Sequence, residues 1–341
     1  MKVLVTGADG YIGALLAPML LERGHDVVGL DTGYYRDGWL HNLGNSRFPP
    51  CVNKDIRRID AEDLRGFDAV VHMAELSNDP LGQLSPNVTY AINHAGSVEL
   101  AKKCKKAGVS RFVYTSSCSV YGTASDDDKT EESKTNPMTA YAECKVLVER
   151  DLSRMADQEF SPTFLRNATA YGPSPRMRFD LVLNNLAGSA WTTKEIRMTS
   201  DGTPFRPLVH VLDICNAIAS TVEAPKELVH NQIYNVGDDK ENYRIWEIAE
   251  IVSHAFPGCK INLGTDHTDS RSYRVSFSKI NTKLPGFRCR RTAEEGANQL
   301  RELFERINMP REVFEFRAFT RLKQLEYLIR TGQIDEGFFW R

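Results

Sequence analysis

The chain alternates between short apolar runs and longer segments in which apolar residues recur at helical spacing. Near the N-terminus, the run 2–6 (KVLVT) leads into a glycine-rich turn and an apolar helical stretch that ends near residue 23. Short runs rich in β-branched and aromatic residues are typical of strands, and strands that alternate with helices form parallel βαβ units. Runs of this kind also occur at 25–30, 70–74, 112–117, 165–171 and 233–237. The pattern predicts the α/β class, with a Rossmann-type doubly wound parallel sheet of about seven strands and helices on both faces.

The predicted strands divide the chain into a larger and a smaller part. Residues 1–172 form the Rossmann domain, which a segment over about 207–237 completes with one more strand. Residues 173–206 and 238–341 form a smaller, mixed α/β substrate lobe with a C-terminal helical extension. In that extension, apolar residues over 316–329 recur at helical spacing with basic residues between them. This predicts a cap over the smaller lobe or an oligomer contact.

Composition excludes several classes of function. The 341 residues include 43 basic and 45 acidic side chains, so the net charge of −2 gives no basic surface for nucleic acid. No stretch approaches the roughly 20 apolar residues of a membrane span, and because the first residues have the pattern of a strand we expect no leader. The seven cysteines are scattered, without C-x-x-C pairs or histidines at zinc-ligand spacing. We therefore expect a cytoplasmic protein with free thiols, no metal site, and neither nucleic acid nor membrane as partner.

The turn after the first strand contains the residues that a dinucleotide site needs. Gly7, Gly10 and Gly13 lie between strand and helix, and the second strand ends at Asp31. Gly7 allows a tight turn, Gly10 lets backbone amides approach a pyrophosphate at the helix N-terminus, and Gly13 lets helix and strand pack closely. Asp31 would accept hydrogen bonds from the adenosine ribose and repel a 2′-phosphate, so we predict NAD as the cofactor. Arg36 follows closely enough to leave NADP as the alternative.

A second group of candidate residues follows the run 112–117. Tyr141 and Lys145 are four residues apart in a predicted helix, so they lie on one face about one turn apart. A neighbouring ammonium and a cationic nicotinamide both favour phenolate, which lowers the pKa of tyrosine towards the working pH. Tyr141 is therefore a candidate general base and acid for a substrate hydroxyl, and Lys145 would also hold the nicotinamide ribose. Ser117, at the strand end, would hydrogen-bond the same hydroxyl.

These motifs resemble those of the extended short-chain dehydrogenase/reductase family, whose members are mostly sugar-nucleotide epimerases, dehydratases and reductases. The glycine spacing, the segment SSCSVYG at 116–122 and the segment NPMTAYAECK at 136–145 carry the resemblance, which covers roughly residues 1–300. The serine and tyrosine–lysine motifs look most like those of UDP-galactose 4-epimerase-like members. Beyond the glycines, Asp31, Tyr141 and Lys145, the resemblance implies cofactor contacts from Tyr11, Ile12, Asp55, Ile56, Met73, Ala74 and Asn93.

The resemblance also implies a nucleoside-diphosphate sugar as substrate. The residues that it implies for substrate binding are Ser117, Thr169, Asn184, Arg206 and Arg271. Two arginines from separate segments suit a diphosphate, because each guanidinium can donate bidentate hydrogen bonds. The polar run 125–136 is predicted to be a flap over the site. A homodimer through the helices at 95–106 and 141–155 is implied in the same way.

Cys118 and Ser119, which follow Ser117 directly, depart from one branch of the family. The 4,6-dehydratases carry an Asp-Glu pair there, because dehydration needs an acid for the leaving hydroxyl and a base for the carbon-bound proton. A thiol and an alcohol are poor substitutes, so ordinary 4,6-dehydration is disfavoured. Cys118 is either a packing residue or an acid–base residue for epimerisation, since related 3,5-epimerases use a cysteine displaced by one position.

We therefore predict an NAD-dependent sugar-nucleotide epimerase that transiently oxidises a sugar hydroxyl through a Ser/Tyr/Lys site. One alternative is an NAD(P)H-dependent reductase of a 4-keto sugar nucleotide, which a net consumption of reduced cofactor would distinguish. Another, from a different class, is a non-catalytic dinucleotide-sensing protein, against which the intact Ser117, Tyr141 and Lys145 argue.

Overall fold

The computed structural model describes residues 1–77, 79–123, 128–198, 200–265 and 271–341. In chain order, its strands are β1 (Lys2–Thr6), β2 (Asp26–Asp31), β3 (Cys51–Asn53), β4 (Ala69–His72), β5 (Arg111–Ser117), β6 (Ser161–Asn167), β7 (Thr169–Tyr171), β8 (Glu195–Arg197), β9 (Phe205–His210), β10 (Gln232–Val236), β11 (Asn242–Arg244) and β12 (Lys260–Asn262).

The α-helices are α1 (Gly13–Glu22), α2 (Asp79–Leu84), α3 (Pro86–Thr89), α4 (Ser97–Lys106), α5 (Ala140–Ser153), α6 (Val182–Thr193), α7 (Val211–Glu223), α8 (Lys226–Val229), α9 (Ile245–Ala255), α10 (Ser278–Lys283), α11 (Ala293–Arg306), α12 (Arg311–Glu315) and α13 (Arg321–Arg330). A π-helical segment, Tyr90–Gly96, continues directly into α4, and short 3₁₀ turns occur at Ile56–Arg58, Glu62–Leu64, Cys118–Tyr121, Asp239–Glu241 and Arg317–Phe319.

The central sheet has seven strands in the order β10-β6-β5-β4-β1-β2-β3, and every neighbouring pair is parallel. From β1 the chain first winds outward through β2 and β3, and then returns past β1 to β4 and continues in the other direction. The winding therefore reverses between β1 and β4, and a crevice forms there at the carboxyl ends of the strands. The predicted doubly wound parallel sheet is confirmed.

Alternation along the strands distributes the core over both faces of this sheet. Val3 and Val5 belong to one apolar cluster with residues of α1 and α7, whereas Leu4 belongs to another with residues of α4 and α5. Successive strand residues point to opposite faces, so strands covered on both sides are apolar at nearly every position. The uninterrupted apolar runs of the sequence follow from this double cover.

A smaller lobe lies beside the carboxyl ends of the strands. It contains a mixed three-stranded sheet in the order β11-β9-β7, with β11 antiparallel to β9 and β9 parallel to β7, and the short parallel pair β12-β8. Helices α6, α9 and α11 pack on one another in this lobe. The predicted smaller mixed lobe is thus present in the structure.

The C-terminal segment 311–341 contacts both parts of the molecule. Phe314 packs edge-to-face on Phe179 of the smaller lobe, with ring centroids 4.9 Å apart. Further on, Trp340 Nε1 donates to the carbonyl of Thr32, at a distance of 2.7 Å, in the loop that follows β2. We expected a cap over the smaller lobe or an oligomer contact. The structure places α13 and the last residues against the Rossmann part, beside the end of β2.

The described residues contain no membrane-spanning helix, no metal-binding cluster and no disulfide. No helix among them is both long and apolar enough to cross a bilayer. No group of three or more His, Cys, Asp or Glu side chains among them could hold a metal ion. The seven cysteines all lie within the described ranges and are unpaired, as expected.

Candidate active site

The glycine turn between β1 and α1 forms one wall of a cavity at the crevice. Gly7 has a φ of 74°, and a Cβ there would lie 2.9 Å from the backbone carbon of Met73. A Cβ on Gly13, the first residue of α1, would clash with the carbonyl oxygen of Gly7. The turn therefore requires glycine at both positions, and it leaves the N-terminus of α1, which attracts anions, open to the cavity.

This cavity has a volume of about 140 Å³, and most of the predicted cofactor residues line it. The lining residues from that set are Gly7, Gly10, Tyr11, Ile12, Gly13, Asp31, Asp55, Ile56, Met73 and Ala74. Together they form a narrow glycine wall, an open helix N-terminus and a carboxylate at the end of β2. These features fit a dinucleotide.

Asn93 has a different place. Its side chain is completely buried and forms both hydrogen bonds with the backbone of Leu76, accepting from the amide at 2.8 Å and donating to the carbonyl at 2.9 Å. It is not among the described residues that line the cavity. Asn93 thus fixes the loop after β4 from behind, so any effect on a cofactor is indirect.

Backbone amides orient the Asp31 carboxylate. One oxygen accepts from Gly33 N at 2.8 Å and the other from Asp9 N at 3.1 Å. Burial raises the pKa of this carboxyl, although the two amides partly offset that effect. Arg36, which left NADP as an alternative, donates from Nε to the Gly33 carbonyl and lines a neighbouring cavity that shares Asp31 with the glycine groove.

Tyr141 and Lys145 lie on α5, whose first turn is held by Thr139. Thr139 Oγ1 accepts from Ala142 N at 3.2 Å, which is the side-chain cap expected at a helix N-terminus. The cap fixes the start of the helix, and the four-residue spacing then places Lys145 Nζ 5.3 Å from the centre of the Tyr141 ring. Both side chains line a second, larger cavity.

Lys145 is held by Glu75, a residue that the sequence reasoning missed. Its ammonium forms a buried ion pair with Glu75 and donates to the Thr115 carbonyl at 2.5 Å, while Tyr114 Oη donates to Glu75 at 2.6 Å. Burial by itself lowers the pKa of Lys145, but Glu75, with a contribution from Tyr141, raises it above the ordinary value. Glu75 lines both cavities and therefore lies at their junction.

At the end of β5, Ser117 and Ser119 line the larger cavity, but Cys118 does not. Ser119 N donates to Ser117 Oγ at 3.2 Å. Ser119 Oγ is buried and has no hydrogen-bond partner among the described residues. Cys118 is 1% exposed, its Sγ donates to the Arg166 carbonyl at 3.2 Å, and burial raises the pKa of its thiol. The structure therefore gives Cys118 a packing position and places Ser119 in the wall of the cavity.

The larger cavity has a volume of about 570 Å³ and extends from α5 to the smaller lobe. Thr169, Arg206 and Arg271 line it, together with Ser117, Tyr141 and Lys145. The Arg206 guanidinium donates to the Arg271 carbonyl, which joins the two arginine-bearing segments. The structure thus brings the proposed acid–base residues and two guanidinium groups into one space.

Asn184 is the exception among the predicted substrate residues. It is completely buried, where it accepts from Gly172 N at 3.0 Å and donates to Tyr11 Oη at 3.2 Å. Its neighbour Asn185 lines the larger cavity instead. The two asparagines are adjacent in α6, and one helical step of about 100° decides which of them faces the cavity.

Two buried arginines at the cavities also escaped the sequence reasoning. Arg178 lines both cavities and is paired with Asp180 through two contacts of 3.0 Å. Arg321 lines the dinucleotide cavity and comes from α13. The basic and apolar periodicity over 316–329 predicts the helix but gives no sign that Arg321 faces a groove. The predicted flap lies partly outside the described residues, because 124–127 are not described.

The chain is similar to known proteins in sequence and in fold. A family model described as "NAD dependent epimerase/dehydratase family" matches residues 3–237. A UDP-glucose 4-epimerase from Corynebacterium glutamicum is 29% identical over 280 residues, which cover 75% of this chain and 82% of that protein. One from Mycolicibacterium smegmatis is 32% identical over 251 residues, which cover 71% and 78%. The solved structure of MoeE5 in complex with UDP-glucuronic acid and NAD has a TM-score of 0.78 and 26% identity, covering 90% of this chain and 99% of that one.

Proposed function

The chain belongs to the NAD dependent epimerase/dehydratase family, and on that premise we propose that it is an epimerase of a nucleoside-diphosphate sugar. The observation that carries the proposal is the shared cavity, in which Ser117, Tyr141 and Lys145 face the same space as Arg206 and Arg271. Hydroxyl chemistry and diphosphate binding can therefore act on one molecule.

In the proposed cycle, Tyr141 Oη removes the proton of a sugar hydroxyl while the hydrogen on the same carbon leaves as hydride. NAD, when bound, supplies the acceptor for this hydride and returns it. Ser117 Oγ hydrogen-bonds the hydroxyl and then the ketone oxygen, and Lys145 stabilises the phenolate of Tyr141. Return of the hydride to the other face of the ketone, with return of the proton from Tyr141, inverts one carbon and leaves no net redox change.

The carboxylates around the cavity support an epimerase over a 4,6-dehydratase. Among the described lining residues, the acidic side chains are Glu75 and Asp180, and each is in an ion pair. Cys118 and Ser119 supply no carboxylate after Ser117. Dehydration would need an available acid and base, whereas epimerisation through a ketone needs only the hydroxyl chemistry of Tyr141.

We predict that the full chain interconverts UDP-glucose and UDP-galactose or a close analogue without net formation of NADH. Product analysis by NMR with NAD present checks this, and Tyr141→Phe should lower kcat by about 100-fold or more because the proton acceptor is lost. Tyr90→Phe is the matched control, since its hydroxyl contacts Glu143 outside the cavity. A Tyr141→Phe enzyme that binds NAD normally and keeps full activity would show the mechanism to be wrong, and consumption of one NADH per turnover would favour the reductase.

Two finer points belong to the proposal. A homodimer through α4 and α5 and a cytoplasmic location are expected on the resemblance and the composition. Sedimentation of the full chain tests the first, and the second is independent of the proposed chemistry.

A further inference from the structure

Arg321, the first residue of α13, is a buried cation that faces the dinucleotide cavity. The residue is 3% exposed and lines the same cavity as the glycine turn. Its guanidinium lies over the ring of Tyr35, 3.8 Å from the ring centre. No hydrogen bond or ion pair among the described residues involves this guanidinium, so the aromatic contact is its partner in the protein.

Other buried arginines of the chain are paired with carboxylates. Arg166 is paired with Glu149 at 2.6 Å, and Arg176 with Asp9 at 2.6 Å. Burial of an unpaired charge is costly, so buried guanidinium groups ordinarily have an anionic partner. Arg321 departs from that rule in a place where a ligand can reach it.

The two carboxylates nearest Arg321 have other partners, so neither of them pairs with its guanidinium. Burial lowers the pKa of Arg321 to about 10, with a smaller contribution from the charge of Arg178, so Arg321 still carries its charge at neutral pH. The two nearby carboxylates are already engaged, Asp180 by Arg178 and Asp31 by the amides of Gly33 and Asp9. The open N-terminus of α1 lines the same cavity and adds to the attraction for an anion.

We propose that Arg321 binds the pyrophosphate of the dinucleotide, which makes the C-terminal segment 320–341 part of the cofactor site. The inference rests on the proposed use of NAD. Arg321 lies 84 residues beyond the end of the family match at residue 237, so nothing in that match assigns it a role.

The C-terminal segment 320–341 is anchored to the loop after β2, next to the dinucleotide cavity. Gln324 Nε2 donates to the Tyr34 carbonyl at 2.9 Å, Tyr34 Oη donates to the Phe338 carbonyl, and the Tyr34 and Trp340 rings are 5.8 Å apart. Tyr34 and Tyr35 follow Asp31 in the chain by a few residues. The segment therefore holds the loop after β2 and presents Arg321 to the groove from a fixed helix end.

The test is the affinity of the full chain for defined ligands, measured by titration calorimetry. Arg321→Gln should raise the Kd for NAD and for ADP about 10- to 100-fold, because a hydrogen-bonded charge pair is lost. Adenosine, which has no phosphate, should bind both proteins equally. Arg330→Gln, at the exposed end of the same helix, is the matched control and should leave every Kd unchanged.

The ligands in this experiment distinguish the pyrophosphate from the 2′-phosphate as the partner of Arg321. They also distinguish failure of the Arg321 proposal from failure of the epimerase proposal. If Arg321→Gln weakens NADP but leaves NAD and ADP unchanged, the 2′-phosphate is the partner and the pyrophosphate assignment is overturned. Wild-type affinity of Arg321→Gln for all three ligands overturns it completely, even if the epimerase proposal stands. If the wild-type chain itself binds no NAD, the proposed function fails together with the inference.

A second measurement uses the wild-type chain and therefore does not require a variant to fold. Hydrogen exchange of the wild-type chain with and without saturating NAD should show protection of 320–330 together with the glycine turn at 7–13. Protection of the turn without protection of 320–330 contradicts the proposal. Arg321→Lys, which keeps the charge but not the bidentate geometry, should recover part of the lost affinity for NAD.

Discussion

Two neighbouring residues, Cys118 and Ser119, have opposite surroundings. Cys118 is packed into the core with its thiol on the Arg166 carbonyl, whereas Ser119 lines the larger cavity and its buried Oγ has no hydrogen-bond partner among the described residues. A buried hydroxyl without a partner is costly unless a ligand or water satisfies it. Ser119 is therefore the better candidate for a substrate contact at the end of β5.

A pair of alanine variants tests this assignment. Ser119→Ala should lower kcat/KM for the sugar nucleotide about 10-fold through loss of a hydrogen bond to substrate, whereas Cys118→Ala should change it less than about 2-fold. Steady-state kinetics on both proteins, with Tm values as a check on folding, provide the measurement. A larger loss in Cys118→Ala than in Ser119→Ala, at equal Tm, would restore the acid–base role of the cysteine.

The ion pair between Glu75 and Lys145 raises the pKa of the lysine, and this sets the pH at which activity should be lost. Burial lowers the pKa of Lys145 and Glu75 raises it, so removal of the Glu75 charge leaves burial as the main influence and the pKa falls. The ammonium then loses its proton at a lower pH. Because the proposed mechanism requires the charged lysine beside Tyr141, activity should be lost at lower pH as well.

We therefore predict that Glu75→Gln moves the alkaline limb of the kcat profile to lower pH. The measurement is kcat between about pH 6 and pH 12, with folding checked at each pH by circular dichroism, because the raised pKa of Lys145 puts the wild-type limb above its ordinary value. Glu99→Gln, which removes the partner of Lys102 in an exposed pair, is the control and should leave the profile unchanged. An alkaline limb at the wild-type position in Glu75→Gln would contradict the coupling.

At the scale of elements, the sequence is most informative where local chemistry decides the structure. The glycine turn requires glycines at Gly7 and Gly13 because a Cβ at either would meet the backbone. Four-residue spacing on α5 alone brings Tyr141 and Lys145 together once Thr139 has capped the helix. The sheet, its parallel strands and the two cavities at its carboxyl edge follow from such local signals.

Tertiary contacts decide what the sequence could not show. Asn93 and Asn184 have the residue type expected of ligand contacts, but backbone groups of other segments engage their side chains and draw them out of the cavities. Glu75 directly follows Ala74, which the sequence placed near the cofactor. Its pairing with Lys145, however, is visible only in the folded chain. Arg321 reaches the groove through its contact with Tyr35, which no local pattern could reveal.

At the scale of the whole molecule, a buried histidine links stability to pH. His210 lies at the junction of β9 and α7, where its Nδ1 accepts from Leu212 N at 3.1 Å and its Nε2 lies 2.9 Å from Gln299 Oε1. The neutral ring satisfies both partners, and a proton on Nδ1 would break the helix cap. Burial lowers the pKa of His210 to about 4, with a contribution from Arg291.

The sign of the effect follows from that shift. The unfolded chain takes up the proton near pH 6.5 and the folded chain only near pH 4, so the stabilisation is complete above pH 6.5 and is lost as pH falls towards 4. His210→Asn keeps a cap at this position but cannot titrate. Below pH 6, the free energy of unfolding of the wild type should therefore fall more steeply than that of His210→Asn, by a slope that approaches 1.4 kcal/mol per pH unit. Urea unfolding at several values between pH 7.5 and 5 gives both slopes, and groups common to the two proteins cancel in the difference. His254→Asn, at an exposed position, should follow the wild type, and equal slopes for His210→Asn and wild type would show that His210 takes up its proton in the folded state.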